Sequence, residues 1–427
     1  MSFGIPVRNG LGIGLIPSTA VSTLRIGGRP AMSLNFIGTN SLDSRVTFTR
    51  ATTATFVGSN GLIQTAAIND PRFDYDPATL AAKGLLIEEA RTNLALRSND
   101  FANAVWNDGA PNNATVTVDL VSPDGGTNGA TLTAATGGTG SLRRQAITAP
   151  GATTYAISVF VKKGTATSSR ILVRDNTNGT NFIQMTALTW SGSVPVLGGL
   201  TGTWTSVNAG NGWYRITGVG TAGAGASVAL SASIFPDNAA GTGTLGVYGA
   251  QIEAGAFATS YIPTVASTVT RNADVAQMTG TNFSSWYNQA QGAFVVSVST
   301  PYVTPSSAYL FSAGNAAEDS SIYSLINSSS NVIGNVVAGG VSQASMTTST
   351  VTANTAFKTA IAAQINNFAA VLNGGTVATD TAGTMPTVDR LTIGNRATSG
   401  RALNGHIRAI AYYNTRLPNA TLQVLST

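Results

Sequence analysis

The stretch Asp70-Pro-Arg-Phe-Asp-Tyr-Asp-Pro-Ala-Thr-Leu-Ala-Ala-Lys-Gly-Leu-Leu-Ile-Glu-Glu-Ala-Arg-Thr-Asn93 organises the rest of the chain. It is dense in charge, although only 10% of all residues are charged. Its two Asp-Pro pairs predict turns, because proline fixes φ and the aspartate carboxylate accepts hydrogen bonds from N–H groups just ahead. Leu85-Leu86-Ile87 indicates a short buried strand, so the stretch predicts a rigid collar. The residues expected to form its ion pairs are Arg72, Asp74, Asp76, Glu88, Glu89 and Arg91.

The collar resembles a segment of bacteriophage virion proteins, namely tail fibres, tailspikes and head fibres. In that group a Thr-Phe-x-Arg strand precedes a Phe-Asp-Tyr-Asp-Pro turn and a Gly-Leu-Leu-Ile-Glu-Glu-Ala-Arg-Thr-Asn-Leu run. Here these pieces occupy residues 47–50, 73–77 and 84–94. The resemblance implies a structural module of a fibre that is usually a homotrimer, and it implies no particular reaction.

The composition predicts an all-β protein. The 427 residues suffice for two or three domains, and 43% of them are hydrophobic, enough for sizeable cores. The charged fraction of 10% is far below the roughly 25% of typical soluble domains. Gly, Thr, Ser, Ala and Asn take its place, and many short alternating runs are typical of strands joined by polar turns. Such a neutral surface suits a protein that works outside cells or packs against its own copies.

Charge and cysteine content exclude several functions. The net charge is +5, but Arg143-Arg144 and Lys162-Lys163 are the only adjacent basic pairs, so we expect no nucleic-acid partner. Cysteine is absent, which excludes disulfides and zinc sites built on cysteine. The first nine residues lack the apolar core of a secretory signal, and residues 11–16 are too short an apolar run to cross a bilayer. We therefore expect synthesis in the cytoplasm and no membrane insertion.

The first two predicted segments are an arm and the collar. Residues 1–42 are Gly-rich with isolated apolar side chains such as Ile13 and Leu15. They predict either a disordered tail or an arm that orders on a partner, and the apolar residues favour the arm. The virion resemblance implies that this arm attaches to other virion proteins. Residues 43–98 form the small β collar, with strands near 46–49 and 54–57 and one helical turn over 78–83.

The next two predicted segments are β-sandwich domains. In residues 99–274, Tyr155, Ile157, Val159 and Val161 alternate on one strand face. The segment resembles the carbohydrate-binding-module-like jelly rolls that follow phage collars, through landmarks at 162–164, 212–215 and 249–255. Residues 275–427 resemble concanavalin A/laminin-G-like sandwiches, through strands at 391–394 and 403–413 and a terminal helix at 418–425.

Few residues in this sequence could serve as catalytic groups. His406 is the only histidine, and its position at the start of a strand suits an edge residue. Glycoside hydrolysis needs two carboxyl groups about 5 to 10 Å apart. Glu88 and Glu89 are adjacent and point to opposite strand faces. Asp74 and Asp76 share a strand face, although Pro77 suits a turn. We expect ion pairs and turn caps for these acids, and therefore no enzyme.

Binding residues can be named for two ligands. A sugar needs an exposed aromatic face and amides for its hydroxyl groups. The glycan-binding candidates are Trp190, Trp204, Trp286 and Tyr287, against the commoner core role of such residues, which we assign to Trp213. Jelly rolls of the resembled families often hold a structural calcium ion, and no other cofactor is expected. The oxygen-rich candidates for calcium are Asp175, Asn176, Asn178 and Glu253.

Together these patterns favour a structural virion protein, a head or tail fibre or spike at the virion surface. It would dock through residues 1–42, associate with its own copies and adhere to host cell-surface polysaccharide. The first alternative is a polysaccharide-degrading tailspike enzyme, which needs a groove with paired carboxylates. The second is a free secreted carbohydrate-binding module, which needs an export signal.

Overall fold

A computed structural model describes residues 28–107, 114–135, 142–238, 241–302, 307–398 and 400–427. In these ranges the chain is built almost wholly of antiparallel β-strands, which confirms the all-β prediction. Helix within the described ranges is confined to a 3₁₀ turn at Ala104–Trp106 and two short α-helices. In the part of the chain described, no helix has the length and apolar character needed to cross a membrane.

The strands fall into three groups along the chain. The first group comprises β1 (Met32–Asn35), β2 (Thr47–Thr49), β3 (Ala54–Val57), β4 (Ile63–Ala66), β5 (Phe73–Tyr75), β6 (Ala82–Ile87) and β7 (Arg91–Asn93). The second comprises β8 (Thr115–Leu120), β9 (Gly129–Thr133), β10 (Arg143–Ala149), β11 (Thr154–Lys163), β12 (Ser169–Asp175), β13 (Thr180–Ser191), β14 (Val194–Thr201), β15 (Thr203–Asn208), β16 (Trp213–Thr221), β17 (Val228–Phe235) and β18 (Thr244–Ala254).

The third group contains the remaining strands and both α-helices. It comprises β19 (Val269–Arg271), β20 (Val275–Thr279), α1 (Thr281–Ser284), β21 (Gln291–Ser299), β22 (Ala308–Gly314), β23 (Ser321–Ile326), β24 (Asn331–Ala338), β25 (Val341–Thr350), β26 (Phe357–Gln364), β27 (Phe368–Leu372), β28 (Ala378–Asp380), β29 (Arg390–Ile393), β30 (Gly405–Tyr413) and α2 (Asn419–Leu425). The terminal helix α2 lies within the predicted range 418–425.

The second group forms the first sandwich. A five-stranded sheet of order β10-β17-β12-β13-β14 packs on a six-stranded sheet of order β15-β16-β11-β18-β9-β8. Tyr155, Ile157, Val159 and Val161 all contribute to the core between the sheets, which confirms their predicted common face. The other face of β11 is also buried, because Phe160 packs in a smaller aromatic cluster with Trp213 and other rings. That cluster lies beside the collar.

The second sandwich draws strands from both ends of the chain. Its seven-stranded sheet has the order β2-β20-β29-β22-β23-β24-β25, and its other sheet contains β28-β27-β26-β21-β30-β6-β5, with β1 also paired to β30. The predicted boundaries at residues 42 and 98 are therefore wrong for this sandwich, since β1 comes from the arm and β2, β5 and β6 from the collar. Met32, Leu34, Leu85 and Ile87 are buried in its core, so these strands cannot form a separate unit.

The first sandwich is inserted into the second. Strand β7 leaves the second sandwich and β19 returns to it, and the two pair with Asn93 opposite Val269 and Arg91 opposite Arg271. We call this two-stranded element the ribbon. The predicted domains were consecutive along the chain, whereas the strands of the second sandwich flank the insertion on both sides. The greater part of the predicted arm, residues 1–27, lies outside the described residues.

The predicted helical turn at 78–83 is wrong. Leu80 has a φ of 60° and β6 already begins at Ala82, so this segment is a tight turn followed by a strand. The Asp76 carboxylate causes the turn, because its Oδ1 accepts hydrogen bonds from the N–H groups of Ala78 at 3.0 Å and Thr79 at 2.8 Å. Gly84 follows with a φ of 112°, and a Cβ there would lie 2.4 Å from the Ile407 carbonyl oxygen.

Candidate functional site

A buried ionic network joins the collar to both sandwiches. Arg72 lies just before β5, and its Nη1 donates to Glu88 Oε2 at 2.7 Å and to Ser260 Oγ at 2.8 Å. Its Nη2 donates to Asp274 Oδ2, and Arg50 Nη1 donates to Asp274 Oδ1 at 3.0 Å. The side chains of Arg50, Arg72 and Asp274 have no exposed surface. Residues far apart in sequence thus meet at one ionic joint.

Glu88 is the second anion of the network. Its Oε1 accepts the Ser260 N–H at 2.7 Å, and Arg271 Nη1 lies 3.4 Å from its Oε2. Burial by itself would raise the pKa of Glu88, but the charges of Arg271 and Arg72 and the Ser260 hydrogen bonds hold it well below its usual range. Burial would likewise lower the pKa of Arg72, but Asp274 and Glu88 outweigh it and hold that pKa above its ordinary value. These groups therefore stay charged at neutral pH.

The network matches the predicted set of ion pairs only in part. Arg72 and Glu88 belong to it, whereas Glu89 and Arg91 form a separate pair, with Arg91 Nε donating to Glu89 Oε1 at 2.6 Å. Asp74 and Asp76 lie outside it. Three members were missed, although Arg50 ends the Thr-Phe-x-Arg piece of the collar. Nothing local in the sequence indicates which of the scattered charges meet. The missed residues are Arg50, Arg271 and Asp274.

Asp74 forms a second buried charged group with His406 and Lys83. Asp74 Oδ2 lies 2.7 Å from His406 Nε2 and 3.6 Å from Lys83 Nζ, and its Oδ1 accepts the Val57 N–H at 2.7 Å. Burial would raise the pKa of Asp74, but the hydrogen bond from His406, Lys83 and the Val57 N–H lower it below its ordinary value. An ionised carboxylate can only accept, so His406 Nε2 carries the proton.

His406 differs from its predicted role as an edge residue. It lies in β30, opposite Leu86 on one side and Ser299 on the other, and is 3% exposed. Burial lowers the pKa of His406 and the positive charge of Lys83 lowers it further, against the raising effect of Asp74. The imidazole is therefore neutral at pH 7, and it joins the second sandwich to the collar through Asp74.

Asp74 and Asp76 do not form the carboxylate pair that hydrolysis would need. Strand β5 ends at Tyr75, so Asp76 lies in the turn, where its carboxylate accepts hydrogen bonds from Ala78 and Thr79. The prediction that the two share a strand face is wrong. Asp74 faces His406 instead, and both carboxylates are engaged as an ion pair and a turn cap.

A cavity of about 200 Å³ opens where the collar and the two sandwiches meet. We call it the junction cavity. Lys83 of β6 and His406 of β30 lie on one part of its wall, and Arg215 of β16 lies on another. Tyr302 also lines it; its ring stacks on Phe257 with centroids 4.6 Å apart, and its hydroxyl donates to the Ala258 carbonyl at 2.9 Å. The wall thus combines charged groups with aromatic rings.

The predicted glycan-binding aromatics lie in both sandwiches: Trp190 and Trp204 in the first, and Trp286 and Tyr287, whose ring centroids are 5.9 Å apart, in the second. Trp204 and Trp286 are 9% and 7% exposed, and their Nε1 groups donate to the backbone carbonyls of Thr201 and Asn282. The prediction is wrong for these two, because a buried ring offers no face to a sugar. Tyr287 is half-buried and stacks 5.2 Å from Tyr412.

The remaining candidate, Trp190, is partly exposed to solvent. It is half-buried in β13 and meets the Tyr214 ring edge-on at 6.1 Å. Sugar binding at Trp190 and Tyr287 stays a prediction. Trp213 is fully buried, as predicted for a core residue.

Three of the predicted calcium ligands, Asp175, Asn176 and Asn178, lie at one turn, and Glu253 lies apart from them. Asp175 ends β12 in the five-stranded sheet, and its carboxylate accepts N–H groups of Asn178 at 3.0 Å and Gly223 at 3.0 Å. Glu253 lies in β18 in the other sheet, where Thr259 N and Gln251 Nε2 donate to it. Burial raises the pKa of Glu253. The grouping of Glu253 with Asp175 is wrong. Calcium at the turn that includes Asn176 stays a prediction.

Comparison with known proteins adds likeness of fold only. No family model and no curated protein matches the sequence. Among solved structures, the Ruminococcus gnavus IT-sialidase CBM40 bound to alpha2,3 sialyllactose is 17% identical, with a TM-score of 0.31, over 34% of this chain and 88% of that chain. A leech intramolecular trans-sialidase is 18% identical, with a TM-score of 0.30, over 33% of this chain and 23% of that chain. Trypanosoma rangeli sialidase is 13% identical, with a TM-score of 0.29, over 35% of this chain and 25% of that chain.

Proposed function

We propose that this chain is a structural component of a bacteriophage virion, a head or tail fibre or spike, which displays its two β-sandwiches for adhesion to host cell-surface polysaccharide. The observation that carries the proposal is the role of the collar. The sequence that resembles the virion collar supplies Arg50, Arg72 and Glu88, which form the buried ionic joint between the sandwiches. Three of the five residues of the joint thus come from the collar, and Arg271 and Asp274 come from the segment after the first sandwich.

The chemistry of the joint suits a display scaffold. A buried ionic network is a weak source of net stability, because removing charges from water costs about as much as their attraction returns. It does fix geometry, since each charge is satisfied only in one arrangement. Charged residues are scarce in this chain, yet five of them are placed in this joint: Arg50, Arg72, Glu88, Arg271 and Asp274. On the proposed fibre, this joint would hold the two sandwiches at one relative angle.

Attachment and self-association complete the proposal. Since β1 begins at Met32 inside the second sandwich, the segment left to contact other virion proteins is the part of residues 1–42 that precedes β1. Self-association, as a homotrimer, has a candidate surface on β14, which is an edge strand of its sheet. Val194, Val196 and Leu200 on that strand are about half exposed, and an apolar edge favours association. The assembled protein would sit on the virion surface after assembly in the host cytoplasm.

Three measurements test the proposal together. Sedimentation equilibrium of the full chain should give a trimer mass, and an array of bacterial capsular and lipopolysaccharides should show binding. A chain lacking residues 1–27 should keep its melting temperature and its binding but should no longer join phage particles, as followed by antibody labelling in electron microscopy. A monomer that binds none of the polysaccharides contradicts the proposal. Release of reducing ends from a bound polysaccharide would favour the tailspike enzyme instead.

A further inference from the structure

The junction cavity contains a cation without an anionic partner. Arg215 lines the cavity and, among the described residues, forms no ion pair with an acidic side chain. Its Nη2 donates to Ser158 Oγ at 2.8 Å, and its guanidinium carbon lies 5.4 Å from the centre of the Phe160 ring. Its Nε is buried without a hydrogen-bond partner. The guanidinium is therefore held in place, but some of its N–H groups donate no hydrogen bond.

The acids at the cavity wall do not neutralise this cation. Asp74 is engaged by His406 and Lys83, and Glu88 is engaged by Arg72 with Arg271 close by. Lys83 Nζ is 3.6 Å from Asp74, and its side chain is 36% exposed. The wall thus presents one unpaired and one partly exposed cation. An anionic group suits this site, because the half-buried guanidinium of Arg215, which has no carboxylate partner among the described residues, would gain charge-assisted hydrogen bonds from it.

Size and rim chemistry restrict the anion further. The volume of about 200 Å³ is below the roughly 300–1,000 Å³ of pockets that enclose whole ligands, so the cavity admits one small unit of a larger molecule. Asn208 and Asn354 line it and are exposed at its rim, and Tyr302 supplies an aromatic ring. Amides and an aromatic ring suit the hydroxyl groups and apolar face of a sugar. The guanidinium fork suits a planar carboxylate, which it can bind through two parallel hydrogen bonds.

We propose that the junction cavity binds a hexuronic acid unit of a polysaccharide, with Arg215 as the ligand of its carboxylate and Asn208 and Asn354 as ligands of its hydroxyl groups. This assignment rests on the proposed adhesion to polysaccharide and names its chemical class. It also moves the binding site from the predicted tryptophans to the junction between the sandwiches. The ionic joint then has a second consequence, because it holds two walls of one site at a fixed distance.

The test uses the full chain and trigalacturonic acid as the probe, with binding measured by isothermal titration calorimetry. The matched control ligand is the same trisaccharide with its carboxyl groups reduced to alcohols. Arg215→Gln removes the charge, and Arg174→Gln is the control variant, because Arg174 is exposed on β12 and its side chain donates a hydrogen bond to Asn181, away from the junction cavity. Arg215→Lys keeps the charge without the fork. Melting temperatures of all variants establish that they fold.

We expect the wild type and Arg174→Gln to bind trigalacturonic acid equally. The reduced trisaccharide and Arg215→Gln should each weaken binding about ten- to a hundredfold, as for loss of a charged hydrogen-bonded contact. Arg215→Lys should fall in between. Equal binding of the reduced sugar, equal binding by Arg215→Gln, or no binding by the wild type overturns the assignment. If polysaccharides on the array still bind in that case, only the cavity assignment fails; if none binds, the proposed adhesion fails as well.

Discussion

Substitution of Asp274 by asparagine is the sharpest test of the ionic joint. Asp274 accepts hydrogen bonds from Arg50 at 3.0 Å, from Arg72 and from the Glu88 N–H at 2.9 Å, and its side chain has no exposed surface. Asp274→Asn preserves the shape but leaves the three buried guanidinium groups of Arg50, Arg72 and Arg271 with Glu88 as the one remaining carboxylate of the network. Breaking a buried ion pair by removing one partner costs about 3–5 kcal/mol. At about 2–4 °C per kcal/mol for a domain of this size, the melting temperature of the second sandwich should fall by roughly 6–20 °C.

Differential scanning calorimetry measures this change, and Asp389→Asn is the matched control. Asp389 pairs with the neighbouring Arg390 at 2.7 Å, but its side chain is 60% exposed. An exposed pair contributes about 0–1 kcal/mol, so the control should melt within a few degrees of the wild type. If Asp274→Asn shifts the melting temperature no more than Asp389→Asn, the network does not hold the sandwiches in place and the argument for a rigid joint is wrong.

Three further outcomes are expected. The pKa values of Asp74 and His406 are both lowered in the folded protein. The unfolded chain therefore binds more protons as the pH falls below 6.5, the ordinary value of His406, and again below 3.8, that of Asp74. Stability should be full at pH 7 and decrease in those two steps as the pH falls. In a series of urea titrations, His406→Asn should remove the first step and also weaken the second, because the His406 hydrogen bond is one of the contacts that hold the pKa of Asp74 down. Gly84→Ala should cost at least about 2 kcal/mol, because its Cβ would strike Ile407, whereas Gly339→Ala, with a φ of 58° and open space, should cost about 1 kcal/mol. Replacing residues 94–268 by a short glycine linker should leave a folded second sandwich with a cooperative melting transition, since Asn93 and Val269 are paired; a molten product would contradict the insertion.

Local patterns in the sequence were sufficient for individual strands and for the fold class. The alternation of Tyr155, Ile157, Val159 and Val161 identifies one core face of β11 without any knowledge of its partners. Met32–Asn35 shows the same alternation of buried and exposed positions. What this pattern cannot show is the partner of a strand. Met32 lies opposite Tyr412 near the other end of the chain, and no periodicity predicts such a pairing.

In the candidate site, too, the sequence identified some individual residues but not the partners they meet in the fold. The high density of charge in the collar sequence identified Arg72 and Glu88 as ion-pair residues, and the two do form an ion pair. In a chain with few charged residues, a local cluster of them indicates that they pair with one another. Asp274 reaches Arg50 across 224 residues of sequence, so only the folded chain brings them together. Trp204 was predicted to bind sugar, but its ring lies in the core of the first sandwich. No pattern in the sequence singles out Arg215. Its interest comes from having no ion pair with an acidic side chain among the described residues, and only the folded structure shows this.

The ribbon of β7 and β19 has a consequence for biosynthesis. On the ribosome, the inserted sandwich is complete once β18 has emerged, and it can fold while the rest is still being translated. Strands β1 and β6 must wait much longer, because their partner β30 is among the last elements made. If translation stopped before β30, strands β1 and β6 would lack their partner. Their unpaired edges would favour proteolysis or aggregation. The second sandwich therefore closes only after residues 405–413, which form β30, have been made.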